Sequence, residues 1–544
     1  MQAIHRVAKN TGILYIKMAL TVFISLYSTR LILGALGVDD FGLYALVGGL
    51  IAMLGFLNSS MAAATQRFMS FAQGAGDIDN VKRIFNMSTL LHVGIAIIVV
   101  IVLEIAGYFF FNGLLNIAAD RIEVANWVYQ FMVISTFFTI ITVPYEAVIT
   151  SHENMLFYAI VGVVESILKL AIALYITYGA MNLPVGLSIS TENLGIIYST
   201  FDKLIIYGFL MAVLSVLMLL VRRVYCHRKY AECEFNFKKH YDKNLFKQIS
   251  HFAGWSFLGS SSSMIANYGQ GVVINVFFGT AVNAAQGIAA QLSGQLGAVS
   301  NTLIKALNPM IVKSEGAGNR ILMLKATMMG SKVSFFLIMI FYIPFIIETP
   351  FILKLWLENV PDFAVIFCQL LLIRNLIEQL IIPLGTAIAA EGNIKSYQLS
   401  TSLLYFLPLP ASYLFFAYGY PAYTIYIVFI INSLLAFAAT LYYAKKNCQL
   451  VLTTFFSNVI ARCVSSFILV FMFSLIPYYL IEPGFIQLMV VTLVSLVSYL
   501  FIVFFIGFSR DERVKIKKLS LPLLDRSLTK YRTLQSRLGT KLKS

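Results

Sequence analysis

Charged and amide side chains placed inside long apolar runs are the residues of this sequence that invite a chemical reading. Lys17 and Arg30 interrupt a run of about 25 apolar residues ending at Leu36, long enough to cross a hydrocarbon core of about 30 Å. A Lys or Arg at the middle of a spanning helix costs about 2.5–3.5 kcal/mol on insertion scales, so it usually faces protein or a water-filled cavity. The two lie about 220° apart on a helical wheel and cannot share one narrow face. Arg30, beside Ser28 and Thr29, reads either as an anion-binding group in a central cavity or as a structural cation. Lys17 reads as its helper or as a cation reaching the nearer membrane surface. Gln291, Gln295, Thr302 and Lys305 fall within about 80° of one another, with Asn301 at the margin, so their helix presents one wet face. Asn267 lies on the preceding span and Arg67 on the second. The alternative for such residues is helix-packing contact. Two pairs have i,i+4 spacing, Glu165 with Lys169 and Arg374 with Glu378. Self-pairing lowers the cost of holding both charges in a membrane, so each pair is either structural or an ion-coupling group.

Other chemistry finds no support. There is no GxxxxGK[ST] phosphate loop, no HExxH or CxxC pattern and no GxSxG elbow, so we expect no enzyme activity, no metal and no cofactor. Cys226 and Cys233 lie near His227 and His240, but their spacing matches no standard zinc site.

The elements that must position these residues are membrane helices. The chain has 544 residues, 59% hydrophobic and 12% charged, with mean hydropathy +0.82, which is the composition of a polytopic membrane protein. Apolar stretches read as about fourteen spans, near 12–36, 43–70, 84–111, 122–150, 156–180, 202–222, 250–279, 282–310, 326–353, 362–390, 395–418, 421–444, 454–480 and 484–507. Lys and Arg crowd the turns at 71–83, 223–249, 311–325 and 445–453, whereas the alternate turns carry mostly Asp and Glu. This asymmetry puts both termini in the cytoplasm and accounts for a net charge of +15 without nucleic acid as a partner.

An internal repeat organises the spans. Shifting the sequence by 242 places Gly37 on Gly279 and Gly74-Ala75-Gly76 on Gly316-Ala317-Gly318, and shifting by 239 places Pro144, Ile149, Asn154 and Tyr158 on Pro383, Ile388, Asn393 and Tyr397. Each copy holds about six helices, an even number, so both enter the membrane in the same orientation and face each other across a central cavity. The expected organisation is a first lobe at 1–222, a basic linker at 223–249, a second lobe at 250–447, two additional spans at 448–508 and a basic tail at 509–544. The fold class is thus all-α, with two parallel six-helix lobes plus two C-terminal helices.

With two such lobes and a cation in the first span, the chain resembles the multidrug/oligosaccharidyl-lipid/polysaccharide superfamily, and within it the polysaccharide (O-antigen or capsule) repeat-unit flippases. The resemblance spans about residues 5–450 and is carried by Arg30, the Leu36-Gly37 and Phe41-Gly42-Leu43-Tyr44 turn, and the run from Gly76 to Phe85. It implies alternating access in a bacterial inner membrane, with a lipid-linked oligosaccharide as substrate. Membrane lipids and the polysaccharide polymerase and chain-length machinery are the implied partners. Many polysaccharide flippases have twelve spans, so the count here also admits a lipid II-type flippase. An ion-coupled multidrug antiporter of the same superfamily is the other alternative, and a membrane glycan polymerase or ligase a further one. Drug antiporters usually carry an acid in the first helix, whereas this span holds two cations, which favours an anionic substrate. Arg30, Lys17, Arg67 and Lys305 are then expected on the diphosphate, and Gln291, Gln295, Asn301 and Asn267 on sugars. Coupling would come from sodium, protons or the membrane potential.

Overall fold

The computed structural model describes residues 2–37, 40, 41, 43, 44, 47, 48, 55–111, 119–179, 202–357 and 360–514; the longest outer loop and most of the basic tail lie outside these. The first lobe contains α1 (Gln2–Leu36), α2 (Gly55–Ala75), α3 (Ile78–Phe109), α4 (Ile122–Ser151), α5 (Met155–Leu174) and α6 (Lys203–Lys229). The second contains α7 (Lys243–Gly316), α8 (Arg320–Trp356), α9 (Ala364–Glu391), α10 (Lys395–Phe406), α11 (Pro408–Ala417) and α12 (Thr424–Cys448). Two further helices follow, α13 (Ala461–Leu480) and α14 (Phe485–Ile502). No strand occurs among the described residues.

Among the described residues, eleven helical segments are long and apolar enough to cross a membrane. The 74 residues of α7 divide into two long arms at Gly279, whose φ of 75° breaks the helix where a side chain would be strained. With α2 and these two arms, the long helices number fourteen, one for each expected span.

The repeat reappears as matched backbone geometry. Gly37 and Gly279 have φ of 82° and 75°, Gly76 and Gly318 have 75° and 71°, and Glu153 and Gly392 have 55° and 109°. The turns after α2 and α7 end the same way: Gly76 N–H bonds the Gln73 carbonyl and Gly318 N–H that of Glu315, while Asp77 and Asn319 cap the next helix through their side chains. Because each pair is set by its own local sequence, the two lobes arrive at their corners independently.

Helices α13 and α14 extend the core of the second lobe. Val459, Cys463, Val470 and Val491 are buried in one cluster with Phe336, Met339 and Ile343 of α8. At the end of that contact Lys332, 1% exposed, donates to both carboxylate oxygens of Glu512 at 2.9 and 2.8 Å. Glu512 also accepts from the Ser509 N–H at 2.7 Å.

The lobes meet most closely where α2 crosses the last turns of α7. A Cβ on Gly74 would overlap the backbone of Lys313, and one on Gly316 would overlap that of Phe71. The two glycines are repeat equivalents, so the crossing is made by the same position of each lobe. This end of the molecule carries the Lys- and Arg-rich turns and is called here the basic end.

A candidate anion site between the lobes

Asn154 starts the construction, because it caps α5 by accepting from the Phe157 N–H at 3.3 Å and so fixes the first turn of that helix. Tyr158 follows in this turn and faces both α1 and α7. Lys17 of α1 places its ammonium 4.2 Å from the centre of the Tyr158 ring, and Lys305 of α7 lies 4.1 Å from it. Lys305 also donates to the Tyr158 hydroxyl at 2.5 Å. The Lys17 stem lies against Gly162, where a Cβ would collide with it. One aromatic ring thus holds a cation from each lobe, an arrangement worth about 0.5–2 kcal/mol per cation. Among the described residues neither ammonium has a carboxylate within 4.0 Å, so both retain capacity for an anion.

Other bonds hold the lobes together around this pair. The Tyr15 hydroxyl donates to the Val299 carbonyl at 2.9 Å, and Leu14, Met155 and Ala306 are buried together beside it. Nearer the basic end, Glu153 of the first lobe pairs with Lys313 of the second at 3.3 Å and with Arg6 at 3.7 Å. The repeat-related corner closes differently. Arg67 of α2 donates to the carbonyls of Ala389 and Ala390 at 3.0 and 2.9 Å, satisfying groups at the C-terminus of α9 that have no helical partner. The linker joins this structure through His152, which bonds Glu232 and stacks on Tyr230 at 4.2 Å. Burial raises the Glu232 carboxyl, but the His152 bond and the backbone pull it to a net value below the usual carboxylate range. Its contribution to stability is therefore present at neutral pH and lost as pH falls through that lowered value.

The structure brings Lys17 and Lys305 together and leaves the other expected residues elsewhere. Arg30 lies about 20 Å farther along α1 at 1.5 Å per residue. It is exposed, and among the described residues no hydrogen bond or ion pair reaches it. Gln291, Gln295 and Asn301 are likewise exposed, on the part of α7 leading away from the basic end. Arg67 is committed to backbone carbonyls. Asn267 accepts from Arg374 at 3.3 Å, and Arg374, 6% exposed, bonds Glu378 at 2.8 Å and covers the Phe429 ring.

Glu165 and Lys169 pair at 2.8 Å and belong to a larger network. Arg222 reaches Glu146 at 3.0 Å and Glu165 at 3.5 Å, inside a first-lobe cavity of about 230 Å³ lined also by Ser135, Thr139, Thr142 and Ser215. Arg222 stands at the expected boundary between the first lobe and the linker. The helix continues to Lys229, however, and turns this side chain back into the lobe. Tyr158, Glu153 and Arg222 are the residues that sequence reading missed as a site. Only Tyr158 left a signal, its match to Tyr397 in the repeat. Tyr397 has Thr440 and Gly385 beside its hydroxyl and no cation, so the lobes differ at this position.

The MatE family model matches residues 14–175, which covers α1 to α5. No curated protein sequence matches the chain. Among solved structures it is similar to a MATE in the bent conformation, at 13% identity and TM-score 0.69 over 84% of this chain and 97% of that one. It is also similar to an outward-facing multidrug resistance MATE family transporter of the MOP superfamily, at 14% identity and TM-score 0.66 over 82% and 95% of the two chains. A MOP superfamily transporter from Pyrococcus furiosus Vc1 (DSM3638), described as having a binding pocket of reversed polarity, matches at 13% identity and TM-score 0.66 over 82% and 95%. The chain is an all-helical polytopic membrane protein with the fold of the MATE transporters.

Proposed function

We propose that this chain is a flippase that moves a lipid diphosphate-linked oligosaccharide from the inner to the outer leaflet of a bacterial plasma membrane by alternating access. The observation that carries this reading is the meeting of Lys17 and Lys305 on Tyr158, because an anion held there contacts both lobes at once. A diphosphate offers several charged acceptors, and each charge-assisted hydrogen bond contributes about 1.5–3 kcal/mol. Gln291, Gln295 and Asn301 line the way outward with amide groups suited to sugar hydroxyls, and Arg30 stands at its outer end. Placing the basic end in the cytoplasm follows the positive-inside rule and puts both termini inside. The conformation is then closed to the cytoplasm by the Glu153 and Arg67 corners. Each negative charge moved outward across an inside-negative membrane gains about 2.3 kcal/mol per 100 mV, so the potential drives export without ATP or catalysis. The lobes at 1–222 and 250–447 are the moving bodies, the linker at 223–249 joins them, and the segments at 448–508 and 509–544 accompany the second.

The test uses purified protein in liposomes containing a fluorescent undecaprenyl-diphosphate oligosaccharide, with loss of leaflet protection as the readout. Lys305→Gln is expected to slow flipping about 10–100-fold, the equivalent of one charge-assisted bond. Arg30→Ala is expected to change it much less, and a larger loss from Arg30→Ala than from Lys305→Gln would move the anion site outward along α1. A lipid II-type substrate would give the same cation dependence and is separated by substituting that lipid in the assay.

The Glu146, Glu165, Lys169 and Arg222 network favours a second reading, ion-coupled antiport. Carboxylates in a polar cavity of one lobe suit a proton or a sodium ion. If the labelled lipid does not flip while a cationic dye is exported against a proton or sodium gradient, antiport replaces the flippase.

A further inference from the structure

A groove of about 530 Å³ runs along the outside of the first lobe between α5 and α6. Its lining is apolar, from Phe157, Leu220, Val224 and Tyr225, and it ends at Arg228 and Lys229. Leu220, Val224 and both cations are exposed, and among the described residues no carboxylate lies within ion-pair distance of either cation. From Leu220 to Lys229 the helix rises about 14 Å, close to the half-thickness of a hydrocarbon core of about 30 Å. An apolar trough one leaflet deep with two free cations at its mouth has the shape and charge of a site for an anionic amphiphile.

The floor of the groove is tied to the contacts between the lobes. Phe157 and Tyr225 stack with ring centres 3.4 Å apart and planes inclined by 8°. The Tyr225 hydroxyl accepts from Asn154 at 2.8 Å, and Asn154 adjoins Glu153, which pairs with Lys313 of the second lobe. A chain lying on the aromatic pair therefore bears on the corner that closes the basic end.

We propose that this groove is a regulatory site for an anionic phospholipid of the inner leaflet. The lipid phosphate sits on Arg228 and Lys229, an acyl chain lies along Leu220 and Val224 over the Phe157–Tyr225 stack, and occupancy favours the closed basic end. The flipped substrate is a poorer occupant, because α5 separates the groove from Lys17 and Lys305. Phe157 faces the groove, whereas Tyr158 faces those cations. A ligand that prefers one of two conformations shifts the equilibrium by its differential affinity, commonly 5–150-fold.

The experiment needs no transport substrate, so it is independent of the flippase reading. Full-length protein is titrated with phosphatidylglycerol or phosphatidylcholine, and retained lipid is counted by native mass spectrometry. In parallel, Ala306→Cys reports on closure in liposomes of the two lipids, since Ala306 is buried at the lobe contact with Leu14 and Met155 and the five native cysteines are themselves buried. Phosphatidylglycerol is expected to be retained preferentially and to slow alkylation of A306C at least about fivefold. The pair Arg228→Gln/Lys229→Gln, and separately Val224→Trp, which fills the trough but keeps the cations, should each abolish both effects. Equal retention of the two lipids overturns the site. Loss with the charge variants but not with Val224→Trp overturns it in favour of general surface attraction. Specific retention without a change in alkylation overturns the regulatory role. Displacement of phosphatidylglycerol by an undecaprenyl diphosphate at lower concentration reassigns the groove to the substrate.

Discussion

Gly74→Leu and Gly316→Leu are each expected to reduce transport by more than about tenfold and to leave the basic end open. At both positions the atoms a side chain would meet are backbone atoms of the facing helix, those of Lys313 for Gly74 and of Phe71 for Gly316. Backbone held in a helix cannot rotate away as a side chain does, so the overlap is relieved only by separating the lobes. The loss cannot come from the helix itself, because replacing an interior glycine favours a helix by up to about 1 kcal/mol. Inserting bulk into a packed contact typically costs about 1–3 kcal/mol, which shifts a two-state equilibrium about 5–150-fold. The readouts are flipping in liposomes and alkylation of A306C, which should accelerate in either variant. Gly94→Leu is the control, since a Cβ there meets nothing within 4 Å. If Gly74→Leu transports normally with A306C still protected, the crossing is not needed for closure.

The second large effect belongs to the buried pair formed by Lys332 of α8 with Glu512. Glu512→Ala is expected to destabilise the packing of α13 and α14 on the second lobe by about 3–5 kcal/mol, because it leaves the Lys332 ammonium buried without a partner. Lys332 is 1% exposed and has Glu512 as its ion-pair partner, so removing the carboxylate is costly, whereas removing both charges is not. Lys332→Met/Glu512→Gln is therefore expected to recover most of that loss, since it removes both charges and the Gln amide oxygen can still accept from the Ser509 N–H. Thermal unfolding of the purified protein measures both. A Glu512→Ala variant as stable as the parent would show that Lys332 finds water or another acceptor once the carboxylate is gone. The pair also anchors residues 509–512 beside the second lobe, so Glu512→Ala should increase proteolysis just after α14.

The sequence is highly legible at the level of spans and turns. Membrane length sets the helices, and the glycines needed at positive φ mark the repeat, so Gly37, Gly76, Gly279 and Gly318 could be matched before their backbone was known. Asp77 and Asn319 cap their helices through bonds three residues long, which depend on nothing distant. The resemblance of the first span and its following turn to a transporter superfamily agrees with a family model covering the first five helices and with the observed fold.

The site was legible only in part. The side chains that matter are brought together over long separations: Tyr158 and Lys305 are 147 positions apart in sequence, and Arg67 and Ala389 are 322 apart. A helix that is apolar on most of its surface carries no strong pattern to fix its rotation, so the sequence put Arg30 first, with Lys17, Arg67 and Lys305 as its helpers, on position in the spans alone. Tertiary packing gave each a different surrounding. It set Lys17 and Lys305 on one tyrosine, tied Arg67 to the end of α9, left Arg30 exposed, and paired Arg222 with Glu146 and Glu165 inside the first lobe. The number, length and pairing of the spans follow from local chemistry repeated twice along the chain. Which charges remain unpaired follows from how the two lobes close, because a carboxylate or a carbonyl from a distant helix is what neutralises each one.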